Sequence, residues 1–504
     1  MITIKVYPGH VQNRINRGLL GHFVEQYPGN IPGGIYDPES EFADEDGFRT
    51  DILEKMREMG VTQIRWAGNF SSAYHWMDGI GPSDKRPKKL NFAWDALEDN
   101  RHGTAEFIKL CRKVGAEPII GVNMGSGTPE EAMNWVEYCN GTEDTFYANL
   151  RRRDGYEEPF RVKNWCLGNE SYAQWQFGMM EAEEYAKQAI HYAFAMRRAD
   201  PTILLTAVGL ETDPDWNYKV ASKLSVRAVP YAQNGGDYMD YMSAHYYPIG
   251  NESAFSDSDY ETRISMGEFF HERTMLMRSA MEAAADDSEY HAKIVWDEWN
   301  PMGVRDGSEF TLEMALWSSL ILNSFIKDSK YVERANYTFV VGGNGPIRPE
   351  GDRLLLQPEF YLMKLYSEVM GDQLIENISD VPAVQVKMPV DFRWPKWGRN
   401  KYKLRDIPLL DVVATRGKNG ITIFVTNLSR EEDLDVDISI QEWDINAEKA
   451  VIHTIWNKDI RARNTLDKIN VEIRRKEVEI TQNKISCHFK CHSINAVTVY
   501  MSLS

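Results

Sequence analysis

Two glutamates in this 504-residue chain sit at the ends of short apolar runs. Glu170 closes Asn164-Trp165-Cys166-Leu167-Gly168-Asn169-Glu170, and Glu298 lies in Ile294-Val295-Trp296-Asp297-Glu298-Trp299-Asn300. Core packing has no use for a carboxylate at the end of a buried strand, because burying a charge is costly unless it is paired. Brought together, two such groups can divide the acid/base and nucleophilic work of a retaining glycosidase. In that division Glu170 must hold a proton, so its pKa is expected to be raised by burial or by a neighbouring charge. Glu298 must stay ionised, which calls for a nearby arginine or tyrosine, and Arg65 and Tyr247 are the candidates. Each residue also has an ordinary reading: a carboxylate at a helix N-terminus for Glu170, a strand-end salt bridge for Glu298, a structural ion pair for Arg65.

No other constellation competes. His10, His22, His75 and His102 lack the spacing of a helical His-Glu-x-x-His site, and Gly125-Ser126-Gly127 does not supply a nucleophile elbow. The chemistry therefore calls for no metal and no cofactor. His245, with Tyr246 and Tyr247 after it, reads as a site residue through its strand-end position, although a lone histidine is more often a satisfied core group. Trp66, Trp76, Trp94, Trp175 and Trp299 offer faces on which sugar rings stack, yet most tryptophans are core residues.

The elements that must position these residues recur along the chain. Apolar runs with strand character cover residues 19–26, 62–68, 117–125, 164–170, 202–209, 240–247, 293–300 and 336–343. Helical patterns lie between several of them. Ile52, Leu53, Met56 and Met59 share a face ahead of Gly60, and Phe107, Ile108 and Cys111 do so ahead of Gly115. Further helices are expected over 182–199 and 312–326. Eight strands alternating with helices predict an α/β fold, a (β/α)8 TIM barrel. An open doubly wound sheet would want a glycine-rich phosphate loop after an early strand, and the glycines at 29, 33 and 34 open no helix. The strand ends carry Glu25, then Arg65 and Asn69, then Asn123, Asn169 with Glu170, His245 with Tyr247, and Glu298. That is the end of a barrel where active sites form.

Beyond about residue 372 the pattern becomes all-β, with short Val/Ile/Thr-rich runs at 410–415, 420–427, 434–440 and 496–501. A C-terminal β-sandwich, jelly-roll-like, is expected, with the N-terminal strand at 2–7 joining it. The division is 18–372 for the barrel and 1–17 plus 373–504 for the sandwich.

The formal charge of −18, from 57 Lys and Arg against 75 Asp and Glu, excludes nucleic acid and anionic membrane as partners, since both need clustered basic residues. No apolar run is long enough to span a membrane, and the start of the chain lacks the core of a signal peptide. Five cysteines are few and odd in number. Cys111 and Cys166 read as buried thiols, and Cys487 and Cys491 are close enough to pair. A reducing cytoplasm is the expected location.

On Gly21-His22-Phe23-Val24-Glu25, residues 74–82, residues 165–170, His245-Tyr246-Tyr247 and Asp297-Glu298-Trp299-Asn300, the chain resembles the α-L-arabinofuranosidases of glycoside hydrolase family fifty-one. The resemblance covers essentially the whole chain. It implies a retaining mechanism, with Glu170 as acid/base on the fourth strand and Glu298 as nucleophile on the seventh. It further implies that Glu25, Arg65, Asn69, Asn169, His245, Tyr247 and Gln357 line the furanose subsite, with Trp94 facing the sugar. A barrel paired with a β-sandwich, and homo-oligomers, often hexamers, are implied as well. Arg65-Trp66-Ala67-Gly68-Asn69-Phe70 departs from the family's usual Arg-Tyr-Pro-Gly-Gly-Asn-Phe by one residue and by the lack of proline. The expected activity is exo-hydrolysis of terminal α-L-arabinofuranosyl groups from small furanosyl oligosaccharides. The alternatives are the same machinery acting on a β-D-galactofuranoside or β-D-xyloside, and a non-catalytic carbohydrate-binding protein.

Overall fold

A computed structural model describes residues 2–225, 238–248, 260–285, 292–301, 310–391, 401–418, 420–443 and 447–500. Eight parallel strands close into a barrel: Gly21–Val24, Gln63–Trp66, Glu117–Gly121, Asn164–Leu167, Leu204–Ala207, Tyr241–Tyr246, Lys293–Trp299 and Val332–Thr338. The eighth pairs back onto the first through Asn336 and Gly21. Seven lie where the sequence pattern puts them. The eighth runs from Val332 rather than Asn336 and stops at Thr338. Its opening is polar and ion-paired, with Glu333 accepting from Lys293 at 2.6 Å and from Asn16 at 2.6 Å, so no apolar run marks it. Val340 and Val341 supplied the apolar signal, but they are buried in the turn that precedes Gly342 and Gly343.

The helices follow the apolar stripes. Thr50–Met59 and Thr104–Val114 each end on a glycine in the left-handed region, Gly60 at φ 79° and Gly115 at φ 76°, whose N–H groups bond the last carbonyls. Ala182–Ala199 and Leu312–Lys327 match the expected spans. Among the described residues no helix is long and apolar enough to cross a membrane.

The second body is a single nine-stranded sheet rather than two separate ones, and its two wings share one apolar core. The N-terminal strand Ile2–Arg14 belongs to it, antiparallel to Gln373–Asp380 and parallel to Leu434–Ile440. The run expected at 496–501 forms the strand Ile494–Tyr500, and Met501 lies outside the described residues. The interior strand Gly420–Asn427 is buried on both faces. Ile421, Ile423 and Val425 face the sheet's own core, whereas Phe424 joins the barrel core and stacks on Tyr366 at 4.2 Å. That two-sided burial explains its unbroken apolar sequence and docks the sheet on the barrel.

All five cysteines are free thiols. Cys487 and Cys491 do not pair: Cys487 points into the sheet core, whereas Cys491 follows the strand in a turn, where its N–H bonds Asp433.

Candidate active site

The site is built where strands four and seven end. In strand seven a strict two-residue alternation would send Asp297 and Glu298 to opposite faces. The register to both neighbouring strands slips in this stretch. Trp296 and Trp299 consequently both pack outward on Phe325, and Asp297 and Glu298 both reach Arg65 inside the barrel.

Arg65 ties three strands together. Its Nη1 donates to Glu298 Oε1 at 2.8 Å, its Nη2 to Asn169 Oδ1 at 2.7 Å, and its Nε faces Asp297 Oδ2 at 3.1 Å. Burial disfavours the guanidinium, but Asp297 and Glu298 more than offset this and its pKa lies above the ordinary value. Asp297 is itself held by Asn336 at 3.1 Å and by the Cys166 thiol at 3.4 Å, and Gln63 donates to Asn336 at 2.7 Å. Tyr247 donates its hydroxyl to the second Glu298 oxygen at 2.7 Å.

Glu170 is held differently. Strand four ends at Leu167, Gly168 turns the chain at φ 83°, and Glu170 itself sits at φ 43°. A left-handed non-glycine residue costs about 1–2 kcal/mol, a strain kept here at the site. Its Oε2 accepts from Trp175 Nε1 at 2.8 Å and its Oε1 meets His245 Nδ1 at 3.2 Å. The raised pKa expected for Glu170 is not what this environment gives. Burial acts to raise it, but the hydrogen bond and charge of His245, with the Trp175 N–H, hold it below the ordinary value. His245 moves the opposite way: burial lowers its pKa, and Glu298 and Glu170 together raise it above the ordinary value. Both shifts favour the carboxylate–imidazolium form of the pair.

One oxygen of Glu170, one of Glu298 and a ring nitrogen of His245 lie within 4.8 Å of one another. A divalent cation could in principle bridge such a group, but the guanidinium on Glu298 opposes it.

Glu25 forms a second wall. It is 2% exposed, and its Oε1 accepts from the Phe70 N–H at 3.1 Å and from Trp94 Nε1 at 2.9 Å. Burial pushes its pKa up to about 8. Gly68, at φ 102°, lets the backbone pass it, since a Cβ there would lie 2.5 Å from the Glu25 carboxyl carbon. Asn69 begins the short helix Asn69–Ala73 and accepts a bond from Gln176. Asn169 Nδ2 and His245 Nε2 are buried with no partner among the described residues, so both are free for a ligand.

Gln357 stands apart from this bonded group. It is buried at the N-terminus of the helix Pro358–Val369, its N–H on the Pro346 carbonyl and its Nε2 unpartnered among the described residues. Asn123 organises its own loop, accepting from Gly125 and Ser126. Sequence reasoning passed over Asp297, whose signal was a second acid inside a buried run. It also passed over Gln176, which carried no signal.

Two family models match the chain: the α-L-arabinofuranosidase 1 domain over residues 55–265 and the α-L-arabinofuranosidase C-terminal domain over residues 295–493. The chain belongs to the α-L-arabinofuranosidases of glycoside hydrolase family 51. α-L-Arabinofuranosidase C of Emericella nidulans is 35% identical over 86% of each chain. The intracellular exo-α-(1→5)-L-arabinofuranosidase 1 of Bacillus subtilis is 30% identical over 99% of this chain and 98% of its own. The crystal structure of the Thermotoga maritima α-L-arabinofuranosidase in complex with arabinose superposes with a TM-score of 0.88 at 34% identity, covering 99% of this chain and 100% of that one. This family 51 member is a glycoside hydrolase.

Proposed function

We propose that the enzyme removes terminal non-reducing α-L-arabinofuranosyl groups from small arabinose-containing oligosaccharides, α-(1→5)-linked ones among them, with net retention. The observation that carries this reading is the approach of Glu170 and Glu298 to within 4.8 Å, on opposite supports. Retaining enzymes hold their carboxyl groups about 5–5.5 Å apart, whereas inverting ones need room for a water.

Glu298, held in place by Arg65 and Tyr247, attacks the anomeric carbon. Glu170 protonates the departing oxygen, drawing on the proton it shares with His245. As the glycosyl ester forms, Glu298 loses the charge that raises the imidazole pKa, which eases transfer of that proton through Glu170 to the leaving oxygen. Glu170 then takes a proton from water, which releases the sugar. Glu25, Arg65, Asn69, Trp94, Asn169, His245, Tyr247 and Gln357 line the furanose subsite in this reading. Asn169 Nδ2 and His245 Nε2 supply donors for its hydroxyls.

The galactofuranoside, xyloside and non-catalytic readings give way to this one. The relatives are named for arabinofuranoside hydrolysis, and binding alone needs neither glutamate. The domain division at 18–372, with 1–17 plus 373–504 as the second unit, belongs to the same proposal. So do a cytoplasmic location, a homo-oligomeric assembly such as a hexamer, and the lack of nucleic-acid or membrane partners. The test is turnover of an aryl α-L-arabinofuranoside with the product anomer followed by NMR. Retained configuration is expected, and an inverted first product would overturn the mechanism.

A further inference from the structure

Two exposed phenylalanines stand beside the catalytic cluster without any role in the core. Phe177 follows Trp175 by two residues, and Phe92 precedes Trp94 by two. Trp175 bonds Glu170 and Trp94 bonds Glu25, so each phenylalanine is carried by a segment already anchored in the site. Phe92 is 65% exposed and Phe177 53% exposed, with ring centroids 6.4 Å apart at 31°.

Their supports are rigid. Between Trp175 and Phe177, Gln176 turns inward, accepting from Ser72 at 2.6 Å and donating to Asn69. Residue 125 tolerates only glycine, because a Cβ would lie 2.4 Å from the Phe177 carbonyl oxygen. Opposite, Asn91 of the short strand Lys89–Asn91 is buried and donates to the Gln26 carbonyl at 2.9 Å. The rings thus wall a pocket of about 440 Å³ whose floor includes Phe70 and whose rim carries His75, Asp78 and Lys89. Phe70 also gives its N–H to Glu25, so pocket and furanose subsite share a wall. Exposing fixed aromatic surface beside a polar rim is the pattern of a binding surface.

We propose that this pocket is a leaving-group subsite, holding the sugar units on the far side of the scissile bond of a linear furanosyl oligosaccharide. The inference rests on Glu170 being the proton donor. The leaving oxygen must lie at Glu170, and the segment that follows Glu170 leads through Trp175 to Phe177. The occupant is an uncharged sugar chain, its ring faces on Phe92 and Phe177 and its hydroxyls on the rim.

The test compares methyl α-L-arabinofuranoside, whose leaving group is too small to reach the pocket, with α-(1→5)-linked arabinotetraose, using the full chain and the double variant Phe92→Ala/Phe177→Ala. For the tetraose, kcat/KM is expected to fall about tenfold, mostly through KM, while the methyl glycoside is unaffected. The Phe92→Tyr/Phe177→Tyr variant, which keeps both rings, should retain wild-type behaviour. Equal rates for wild type and the alanine variant on the tetraose overturn the subsite. A change in oligomeric mass with unchanged rates does so too, assigning the patch to a second copy. A wild type inactive on both substrates would instead sink the underlying activity, a separate outcome.

Discussion

The ends of strands four and seven each hold one of the two proposed catalytic carboxylates, and they hold them by opposite means. Glu298 sits within a strand, its two oxygens bonded to a permanent cation and to a phenol. Glu170 lies beyond its strand in a left-handed conformation, against an imidazole that titrates and an indole that is 64% exposed. A nucleophile needs one protonation state in one position. An acid/base needs a proton that can leave and return, and a face open to the departing group and to water. The supports differ as the proposed roles differ.

Removing Glu298 should have the largest consequence. Glu298→Ala is expected to lower kcat by about 10⁴-fold or more on every furanoside, because it removes the proposed nucleophile. Untouched turnover of 4-nitrophenyl α-L-arabinofuranoside by this variant would break the comparison outright.

Glu170→Ala should show a loss that depends on the leaving group. Loss of a general acid is expected to slow oligosaccharide cleavage by about 10²–10⁴-fold. A dinitrophenyl furanoside, whose leaving group needs no proton, should form the glycosyl-enzyme at nearly the wild-type rate. Added azide, which needs no base, should then restore turnover. A uniform loss across leaving groups, unmoved by azide, would exchange or erase the two roles.

The same contrast predicts where stability is held. Asp297→Ala leaves Arg65 buried with one acid fewer, and breaking such a pair costs about 3–5 kcal/mol. Trp175→Ala, at the exposed support of Glu170, should change unfolding free energy by only about 0.5 kcal/mol. Urea unfolding of both variants measures the difference. Similar values would mean that the two ends are equally built into the core.

How much of this could be read from the chain follows from the kind of signal each residue leaves. The polar residues at strand ends were legible because an apolar run that stops on Glu or Asn has no packing explanation. The first seven barrel strands were legible for the same reason. The eighth was displaced because Glu333 and Arg334 open it with charge, while Val340 and Val341 continue the apolar signal into a turn. Asp297 was missed because period-two reasoning places it outside, and only the slip in strand seven turns it inward. The lowered pKa of Glu170 depends on which of its neighbours carries the proton, a matter of ångström placement that strand counting does not reach.

Glu25 gives the smallest and most specific test, since it is a buried carboxyl of the site with no cation bonded to it among the described contacts. Burial raises its pKa from 4.5 to about 8, with the charge of Glu298 adding to the effect. A carboxyl raised on folding stabilises the fold fully below its unfolded pKa, and that contribution is lost as pH rises towards the folded value. Wild type should therefore lose thermal stability relative to Glu25→Gln as pH climbs from 4.5 to about 8, with no further change above that. Glutamine keeps the acceptor for Phe70 and Trp94 and cannot ionise, so the gap between the two Tm profiles should change in this window alone. Parallel Tm profiles would mean that Glu25 is already ionised at neutral pH. It would then face the sugar as a pure acceptor, like Glu298, instead of carrying a proton of its own.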